Sequence, residues 1–227
     1  MSPRGKLKLV VLISGRGTNL TALAQACRDE RLEAEIVLVI SDQSQASGLD
    51  GARNLGLPTA VIEAKEFADR ALFEAALAQA IDKNGAELLL LAGFMRILSA
   101  EFVQRYAGRV LNIHPSLLPK YKGLHTHRRV LESAEREHGV SVHFVTGELD
   151  GGPVICQARV PVYPGDTEQA LAARVLLQEH RIYPMVVGLI AAGRLALSGT
   201  RILLDGRVLQ APLSEDAPHE KDLQRRG

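Results

Sequence analysis

The sequence predicts an α/β fold: an open, mostly parallel twisted sheet with helices on both faces, and an antiparallel extension in the C-terminal half. Two observations carry this prediction. Short apolar runs alternate with helical patterns through the first half of the chain, which is typical of parallel strands joined by crossover helices. After Leu124, two alternating strands follow one another across a glycine-containing turn, which indicates antiparallel pairing.

The predicted elements follow in a regular order. We expect strands over residues 7–13, 34–40, 58–62, 87–91, 110–113, 140–145, 154–162, 195–197 and 201–204. We expect helices over residues 18–28, 47–55, 69–83 and 125–135, and a long helix from residue 166 or 167 to beyond 183. Pro184 lies inside that last pattern and predicts a kink or an interruption, because proline lacks the N–H that a helix needs.

Length and composition limit the function classes. The 227 residues fit one domain over residues 1–213, followed by a charged, loose tail over 214–227. A net charge of +1 argues against a nucleic-acid or membrane partner. Only two cysteines are present, Cys27 and Cys156, without disulfide or metal spacing, which favours a reduced, cytoplasmic setting. No apolar run is long enough to span a bilayer.

The most informative motif joins Asn112 and His114 at the end of a strand-like run. Side chains alternate along a strand, so these two share one face while Leu111 and Ile113 share the other. Pro115 keeps the backbone extended. An amide can stabilise a developing oxyanion and an imidazole can move a proton near neutral pH. The alternative is an ordinary polar strand end.

A glycine-rich turn follows the first strand and opens the first helix. Backbone N–H groups at a helix N terminus bind phosphate, so we expect a phosphate site that uses Gly17, Thr18 and Asn19. The third glycine of a dinucleotide site is missing, since Leu20 stands there. Asp42, after the second strand, could still imitate the ribose contact of a dinucleotide-binding module, and a tight turn without a ligand is the plainer alternative.

Three other groups of polar residues are weaker candidates. Asp150 lies in a glycine-flanked turn and could orient an imidazole, although most such residues are simply solvated. Glu179 falls on the stripe of Leu171 and Val175, near the inner face of its helix. The histidines could suggest a metal, but no ligand spacing supports a catalytic metal site; they are His114, His125, His127 and His143.

Taken together, the motifs resemble the folate-dependent formyltransferases. The resemblance covers about residues 7–210 and rests on these segments: ISGRGTNL over 13–20, LAGFMRIL over 91–98, NIHPSLLP over 112–119, YKGLHTH over 121–127, VHFVT over 142–146, ELDGGP over 148–153 and QEH over 178–180. It implies a Rossmann-like formyltransferase fold. It also implies a phosphate-binding half over about residues 1–110 and a folate-binding, catalytic half over about 111–213.

The resemblance places functional residues on this chain. The family's catalytic residues fall on Asn112, His114 and Asp150. The substrate-binding residues fall on Gly17, Thr18, Asn19 and Glu179. The folate-binding residues fall on Arg70, Met95, Arg96, Ile97, Leu98, Asn112, Thr146, Gly147, Glu148, Leu149 and Asp150. Gly147 stands where the resemblance leads us to expect an acidic residue in some relatives, so the resemblance leaves the hydrogen bonding of that loop open.

The implied reaction moves the formyl group of 10-formyltetrahydrofolate to the amine of 5-phosphoribosylglycinamide, a step of de novo purine (IMP) synthesis. Asn112 and protonated His114 would stabilise the oxyanion, and Asp150 would raise the pKa of His114. Both substrates are small molecules. No metal, nucleic acid or membrane is expected, and the protein would be a monomer or a homodimer.

Three other functions stay open. A relative that formylates initiator tRNA would need a further C-terminal domain and a Trp- and Arg-rich loop, where this chain has residues 121–125. A formyltetrahydrofolate hydrolase usually carries an additional N-terminal domain. A non-catalytic nucleotide-binding module would use Gly15 and Asp42, and binding of NAD or of a folate separates it from the enzymes.

Overall fold

A mixed eight-stranded sheet forms the centre of the molecule in the computed structural model, which describes residues 5–214. The strands are β1 Leu7–Ile13, β2 Ala34–Ser41, β3 Thr59–Val61, β4 Leu88–Leu91, β5 Val110–His114, β6 Glu137–Phe144, β7 Val154–Pro161, β8 Leu195–Ser198, β9 Arg201–Leu204, β10 Arg207–Val208 and β11 Leu213–Ser214. The helices are α1 Thr18–Arg28, α2 Ser47–Asn54, α3 Arg70–Lys83, α4 Ala100–Arg105, α5 Thr126–Glu132 and α6 Glu168–Ala191, with a 3₁₀ turn at Ala64–Glu66.

The strand order confirms the predicted fold class. The sheet runs β11-β7-β6-β5-β4-β1-β2-β3. The strands from β3 to β5 in this order are parallel, whereas β6 runs antiparallel to both β5 and β7. Strands β8, β9 and β10 form a separate antiparallel sheet. The C-terminal half therefore supplies the antiparallel part of an otherwise parallel architecture.

Both faces of the sheet are covered, and β1 illustrates why its sequence is continuously apolar. Leu9, Val11 and Ile13 pack into a cluster that contains α1 and α6 residues. Val10 and Leu12 pack into a second cluster that contains α3 and α4 residues. Because side chains alternate across a strand, a strand covered on both faces needs apolar residues at every position.

Most predicted elements are present, with three differences. The sequence analysis did not anticipate α4, β10 or β11. Helix α6 continues through Pro184, so the predicted interruption does not occur. Its neighbours Ile182, Tyr183 and Val186 are fully buried, and this packing outweighs the local preference of proline. Ser214, the first residue of the expected tail, belongs to β11, and residues 215–227 lie outside the described part of the chain.

A buried tyrosine ties α6 to the middle of the sheet. The Tyr183 hydroxyl lies 3.1 Å from the carbonyl oxygen of Leu91 in β4 and 3.2 Å from that of Leu111 in β5. Burial raises the pKa of this hydroxyl well above its ordinary value, so it remains a donor. Within residues 5–214, no helix combines the length and the apolar character that crossing a membrane requires.

Replacing this tyrosine tests the attachment of α6. Tyr183→Phe removes the hydroxyl, so the buried carbonyl groups of Leu91 and Leu111 lose this hydrogen-bond donor. We expect the free energy of unfolding to fall by about 1–3 kcal/mol. Tyr163→Phe is the matched control, because Tyr163 is exposed and its loss of a hydroxyl costs little. Urea unfolding measures both. Equal stabilities for the two variants would contradict the role given to the buried hydroxyl.

Candidate active site

Strand β5 and the loop between β6 and β7 bring the three predicted catalytic residues together. Asn112 Nδ2 lies 3.5 Å from Asp150 Oδ1, and His114 Nδ1 lies 3.5 Å from Asp150 Oδ2. The His114 and Asp150 side chains are almost entirely buried. The alternation predicted along β5 therefore places the amide and the imidazole on one face, with the carboxylate against both of them.

The loop that carries Asp150 is tightly constrained. Asp150 adopts the left-handed conformation, with φ of 46°, which is uncommon for a residue with a side chain. A side chain at Gly152 is excluded, because its Cβ would lie 1.8 Å from the carbonyl oxygen of Phe144. The N–H of Gly123 donates to Asp150 Oδ2 at 2.9 Å. The two glycines predicted as a turn thus let the carboxylate fold back onto β5.

His143 is a further member of the site that the sequence analysis considered only as a possible metal ligand. The register of β5 and β6 pairs Asn112 with His143, and Asn112 Nδ2 lies 3.2 Å from His143 Nε2. His143 Nδ1 lies 2.9 Å from the Phe144 carbonyl oxygen, which only accepts, so Nδ1 carries the proton and Nε2 accepts from Asn112. His143 therefore orients the amide.

The electrostatics of the trio differ from the prediction in one respect. Burial lowers the pKa of His114, although the hydrogen bond to Tyr121 and the charge of Asp150 both act to raise it. The expectation of a protonated His114 with a raised pKa is therefore wrong, although the charge of Asp150 acts in the predicted direction. Burial alone would raise the pKa of Asp150, but the His143 and His114 imidazoles in their protonated forms and the hydrogen bond from the Gly123 N–H together lower it below its ordinary value.

His114 has a defined tautomer in the neutral state. Its Nε2 lies 2.9 Å from the carbonyl oxygen of Tyr121, so this nitrogen carries a proton and donates a hydrogen bond to that carbonyl. The remaining nitrogen, Nδ1, faces Asp150 and is the atom that can gain or lose a proton. The carboxylate is placed to stabilise the imidazolium when it forms.

The predicted phosphate-binding residues lie at the start of α1. Gly17 is the N-cap of this helix, with φ of 68°, and a Cβ there would lie 2.9 Å from Gly48 Cα. This close approach to α2 is a reason for glycine beyond the phosphate contact that the sequence suggested. Asn19 Nδ2 donates to Glu179 Oε2 at 2.6 Å, so α6 contributes a carboxylate to this loop. Burial raises the pKa of Glu179.

Asp42 does not resemble a ribose-binding residue in this structure. The Ser14 hydroxyl donates to Asp42 Oδ1 at 2.6 Å, and Arg96 Nε donates to Asp42 Oδ2 at 2.7 Å. The side chain is only 2% exposed. The carboxylate thus pairs within the protein, which removes the main support for a dinucleotide-binding module.

The predicted folate-binding residues form two segments. In the first, Met95 and Ile97 are 66% and 65% exposed, and Leu98 is buried. In the second, Thr146 is half-buried, and the exposed residues are Gly147, Glu148 and Leu149. A Cβ at Gly147 would lie 3.4 Å from the Cβ of Ala100, two residues after Leu98, so the two segments are neighbours.

Arg70 and Glu148 make contacts within the protein. Arg70 Nε donates to Glu74 Oε1 at 2.9 Å, and its Nη2 donates to the Ile97 carbonyl at 2.7 Å. Lys122 Nζ donates to Glu148 Oε1 at 2.7 Å. Arg70 therefore lies at the rim of the first segment while more than half of its side chain stays exposed.

Two further histidines, His127 and His138, form a pair near His114. His127 Nδ1 is 3.0 Å from His138 Nε2, and the rings meet edge to face. Burial, followed by the charges of His127 and His114, lowers the pKa of His138 to about 4. Burial also lowers the pKa of His127, which Glu168 partly opposes. Among residues 5–214, the acidic, histidine and cysteine side chains form no group of three that could hold a metal ion.

This pair makes stability depend on pH. His138 binds its proton at about pH 4 in the folded protein and at about 6.5 when unfolded. Its contribution is complete above pH 6.5 and is lost as the pH falls through 4, because the unfolded state takes up the proton first. We expect His138→Asn to flatten the decline in the free energy of unfolding between these values. The exposed His125→Asn is the control, and an equal decline in both variants would contradict the assignment.

The fold and site define an α/β protein in which Asn112, His114 and Asp150 meet at the end of a central strand, and a glycine-containing turn opens the first helix. Residues 7–187 match the family described as formyl transferase. The chain is 51% identical over 203 residues to phosphoribosylglycinamide formyltransferase of Escherichia coli K12, with 89% of this chain and 96% of that protein covered. The chain belongs to the formyl transferase family, and the resemblance that the motifs suggested is confirmed.

Solved structures agree with this assignment. The structure of phosphoribosylglycinamide formyltransferase from Coxiella burnetii superposes with a TM-score of 0.88 and 49% identity, covering 92% of this chain and 98% of that one. Glycinamide ribonucleotide transformylase 1 from Symbiobacterium toebii gives a TM-score of 0.86 and 42% identity, with 90% and 97% covered. The residues that match the family, 7–187, contain β1 to β7 and the loops that carry the site.

Proposed function

We propose that this protein transfers the formyl group of 10-formyltetrahydrofolate to the amine of 5-phosphoribosylglycinamide in purine synthesis. The observation that carries the proposal is the contact of Asp150 with both Asn112 and His114 at 3.5 Å. The proteins named for this activity cover almost the whole chain, which supports the choice of substrates.

The acceptor binds between α1 and α6 in this proposal. Its phosphate lies on the N-terminal turn of α1, where Gly17, Thr18 and Asn19 supply N–H groups and polar side chains. Glu179 is held in place by Asn19 and accepts hydrogen bonds from the sugar or the glycinamide part. The formyl donor binds against Met95, Ile97 and Leu98, with residues 146–150 along its other side. Arg70 faces its glutamate tail.

The first chemical step is addition of the amine to the formyl carbon. A new C–N bond forms, and the electron pair of the carbonyl moves to oxygen. The Asn112 amide donates two hydrogens, a closer one toward His143 Nε2 at 3.2 Å and a longer one toward Asp150 at 3.5 Å. The oxyanion accepts the second of these N–H groups, because that hydrogen bond is the weaker one in the structure.

Proton transfer completes the reaction. His114 Nδ1 takes one proton from the attacking amine and becomes an imidazolium beside the Asp150 carboxylate. It then gives that proton to N10 of the folate while the bond between N10 and the formyl carbon breaks. The acceptor thereby loses one proton and the deformylated folate gains one, so no net charge is left on the enzyme. This cycle needs neutral His114 at the start, which agrees with its lowered pKa.

The enzyme acts in the cytoplasm in this proposal. Within residues 5–214, Cys27 and Cys156 form no disulfide with each other, in keeping with a reducing cytoplasm. The reaction needs no resident metal, because the donor carries its formyl group in an already transferable form. We propose that the enzyme acts on these small molecules as a monomer or a homodimer, without a nucleic-acid or membrane partner.

A formyl-transfer assay tests the function. The purified protein is mixed with 10-formyltetrahydrofolate, with and without 5-phosphoribosylglycinamide, and both products are followed by mass. We expect formylated acceptor and tetrahydrofolate in equal amounts, only when the acceptor is present. Release of formate in the absence of acceptor would identify a hydrolase instead, and no consumption of the donor under either condition would overturn the proposal.

The pH profile of an Asp150 variant tests the mechanism. In the wild type, kcat/KM rises as His114 loses its proton, with a midpoint below 6.5. Asp150→Asn removes the charge that raises the pKa of His114, so the midpoint should move to lower pH. The plateau should fall about 100-fold because the imidazolium loses its counterion.

The amine of the acceptor has the same pKa in the assays of the wild type and of Asp150→Asn. The difference between their two pH profiles therefore reports the titration of His114 alone. Substrate binding should change little, which equilibrium titration with each substrate measures. A midpoint that moves upward, or a full plateau in the variant, would assign the proton transfer to another group.

A further inference from the structure

The segment over residues 95–99, which forms one wall of the proposed donor site, is held by side chains from other elements. Met95 N–H donates to the Ser14 hydroxyl at 2.8 Å. The Ile97 carbonyl accepts from Arg70, as described above. Ser99 N–H donates to Glu74 Oε1 at 2.7 Å, and the Ser99 hydroxyl donates to Glu74 Oε2. These side-chain bonds lie at the beginning, the middle and the end of the segment.

One buried carboxylate anchors the beginning of the segment. Asp42 accepts from Arg96 Nε at 2.7 Å and from the Ser14 hydroxyl at 2.6 Å. The same Ser14 hydroxyl oxygen accepts from Met95, so Asp42 orients this hydroxyl as well as Arg96. The Arg96 guanidinium also lies over the Phe73 ring, 5.5 Å from its centroid. Asp42 thus fixes two consecutive residues of the wall.

A second buried carboxylate anchors the end of the segment. Both oxygens of Glu74 accept hydrogen bonds from Ser99, and Oε1 also accepts from Arg70. The Glu74 side chain is only 9% exposed. Arg70 in turn donates to the Ile97 carbonyl, so Glu74 acts on the segment both directly and through Arg70.

The anchoring has a physical reason. Met95 and Ile97 expose apolar side chains to solvent, and an unrestrained loop of this composition would lower its free energy by turning them inward. Charge-assisted hydrogen bonds to buried carboxylates are strong enough to oppose that collapse. From this arrangement, and resting on the proposed function, we infer that Asp42 and Glu74 are positioning residues that hold the 95–99 segment open for the formyl donor.

Neither carboxylate contacts the donor in this account. Their oxygens are occupied by Ser14, Arg96, Arg70 and Ser99, and both side chains are buried. Loss of Glu74 should therefore weaken donor binding while leaving the Asn–His–Asp trio and the phosphate loop in place. Glu74 gives the cleaner test, because Asp42 also contacts Ser14 at the base of the phosphate loop.

The experiment compares Glu74→Ala with a matched control, Asp166→Ala. Asp166 is also a buried carboxylate, 7% exposed, that pairs with an arginine, Arg174, and accepts from a backbone N–H, that of Tyr163. It lies just before α6, and its oxygens accept from Tyr163 and Arg174 rather than from the 95–99 segment. We expect Glu74→Ala to raise KM for the donor about tenfold, with kcat and KM for the acceptor within about twofold. Asp166→Ala should change none of the three.

Glu74→Gln provides the rescue. Its amide oxygen still accepts from Ser99 N–H or Arg70, so KM for the donor should return to within about threefold of the wild type. Should Glu74→Ala fail to fold, Asp42→Asn replaces it, since its carbonyl oxygen can retain part of the hydrogen bonding from Ser14, Arg96 and Gln43. We then expect KM for the donor to rise about threefold, and to rise more than KM for the acceptor.

A titration with tetrahydrofolate, the deformylated product, measures donor-site affinity without turnover. If Glu74→Ala binds tetrahydrofolate more weakly than Asp166→Ala, the positioning role is supported even if the wild type transfers no formyl group. The positioning role and the proposed formyl transfer can therefore be contradicted independently of each other. Equal affinities in these variants would overturn the positioning role. A parallel rise of both KM values in Glu74→Ala would also overturn it, because that result indicates a general loss of structure.

Discussion

The site depends above all on the burial of the Asp150 carboxylate. It contacts Asn112 and His114 in β5, His143 in β6 and the Gly123 N–H in the loop that precedes α5. A buried charge is costly unless it is paired, so this single group forces two strands and a loop to converge. Strand β6 pairs antiparallel with β5, and the register of this pair places His143 opposite Asn112. This pairing makes the convergence possible.

Much of the fold follows from local sequence properties. Runs such as residues 7–13 are apolar at every position, and only a strand covered on both faces needs that pattern. Asn112 and His114 were predictable as a pair because alternation along a strand is purely local. The helix α4 was missed because it is only six residues long, although Ser99 is a typical N-cap and its hydroxyl accepts from Phe102 N–H.

The remainder depends on contacts between distant segments. The pairing of His143 with Asn112 is a matter of register, which sequence periodicity alone does not determine. Glu74 lies on a helix whose pattern suggests only an exposed polar position, and its partner Ser99 is 25 residues away. The net pKa shift of His114 is a balance between burial and Asp150, and the depth of burial is a property of the folded chain.

Tyr183 and Glu179 are four residues apart on α6, and therefore about one helical turn apart on the same side, with a rise of roughly 6 Å between them. The hydroxyl contacts two strand carbonyls in the middle of the sheet, while the carboxylate meets Asn19 at the start of α1. The contact of Tyr183 with the sheet therefore fixes the position of Glu179 along α6 and around its axis. A slip of one residue along α6 would turn the carboxylate by about 100° around the helix axis and away from Asn19.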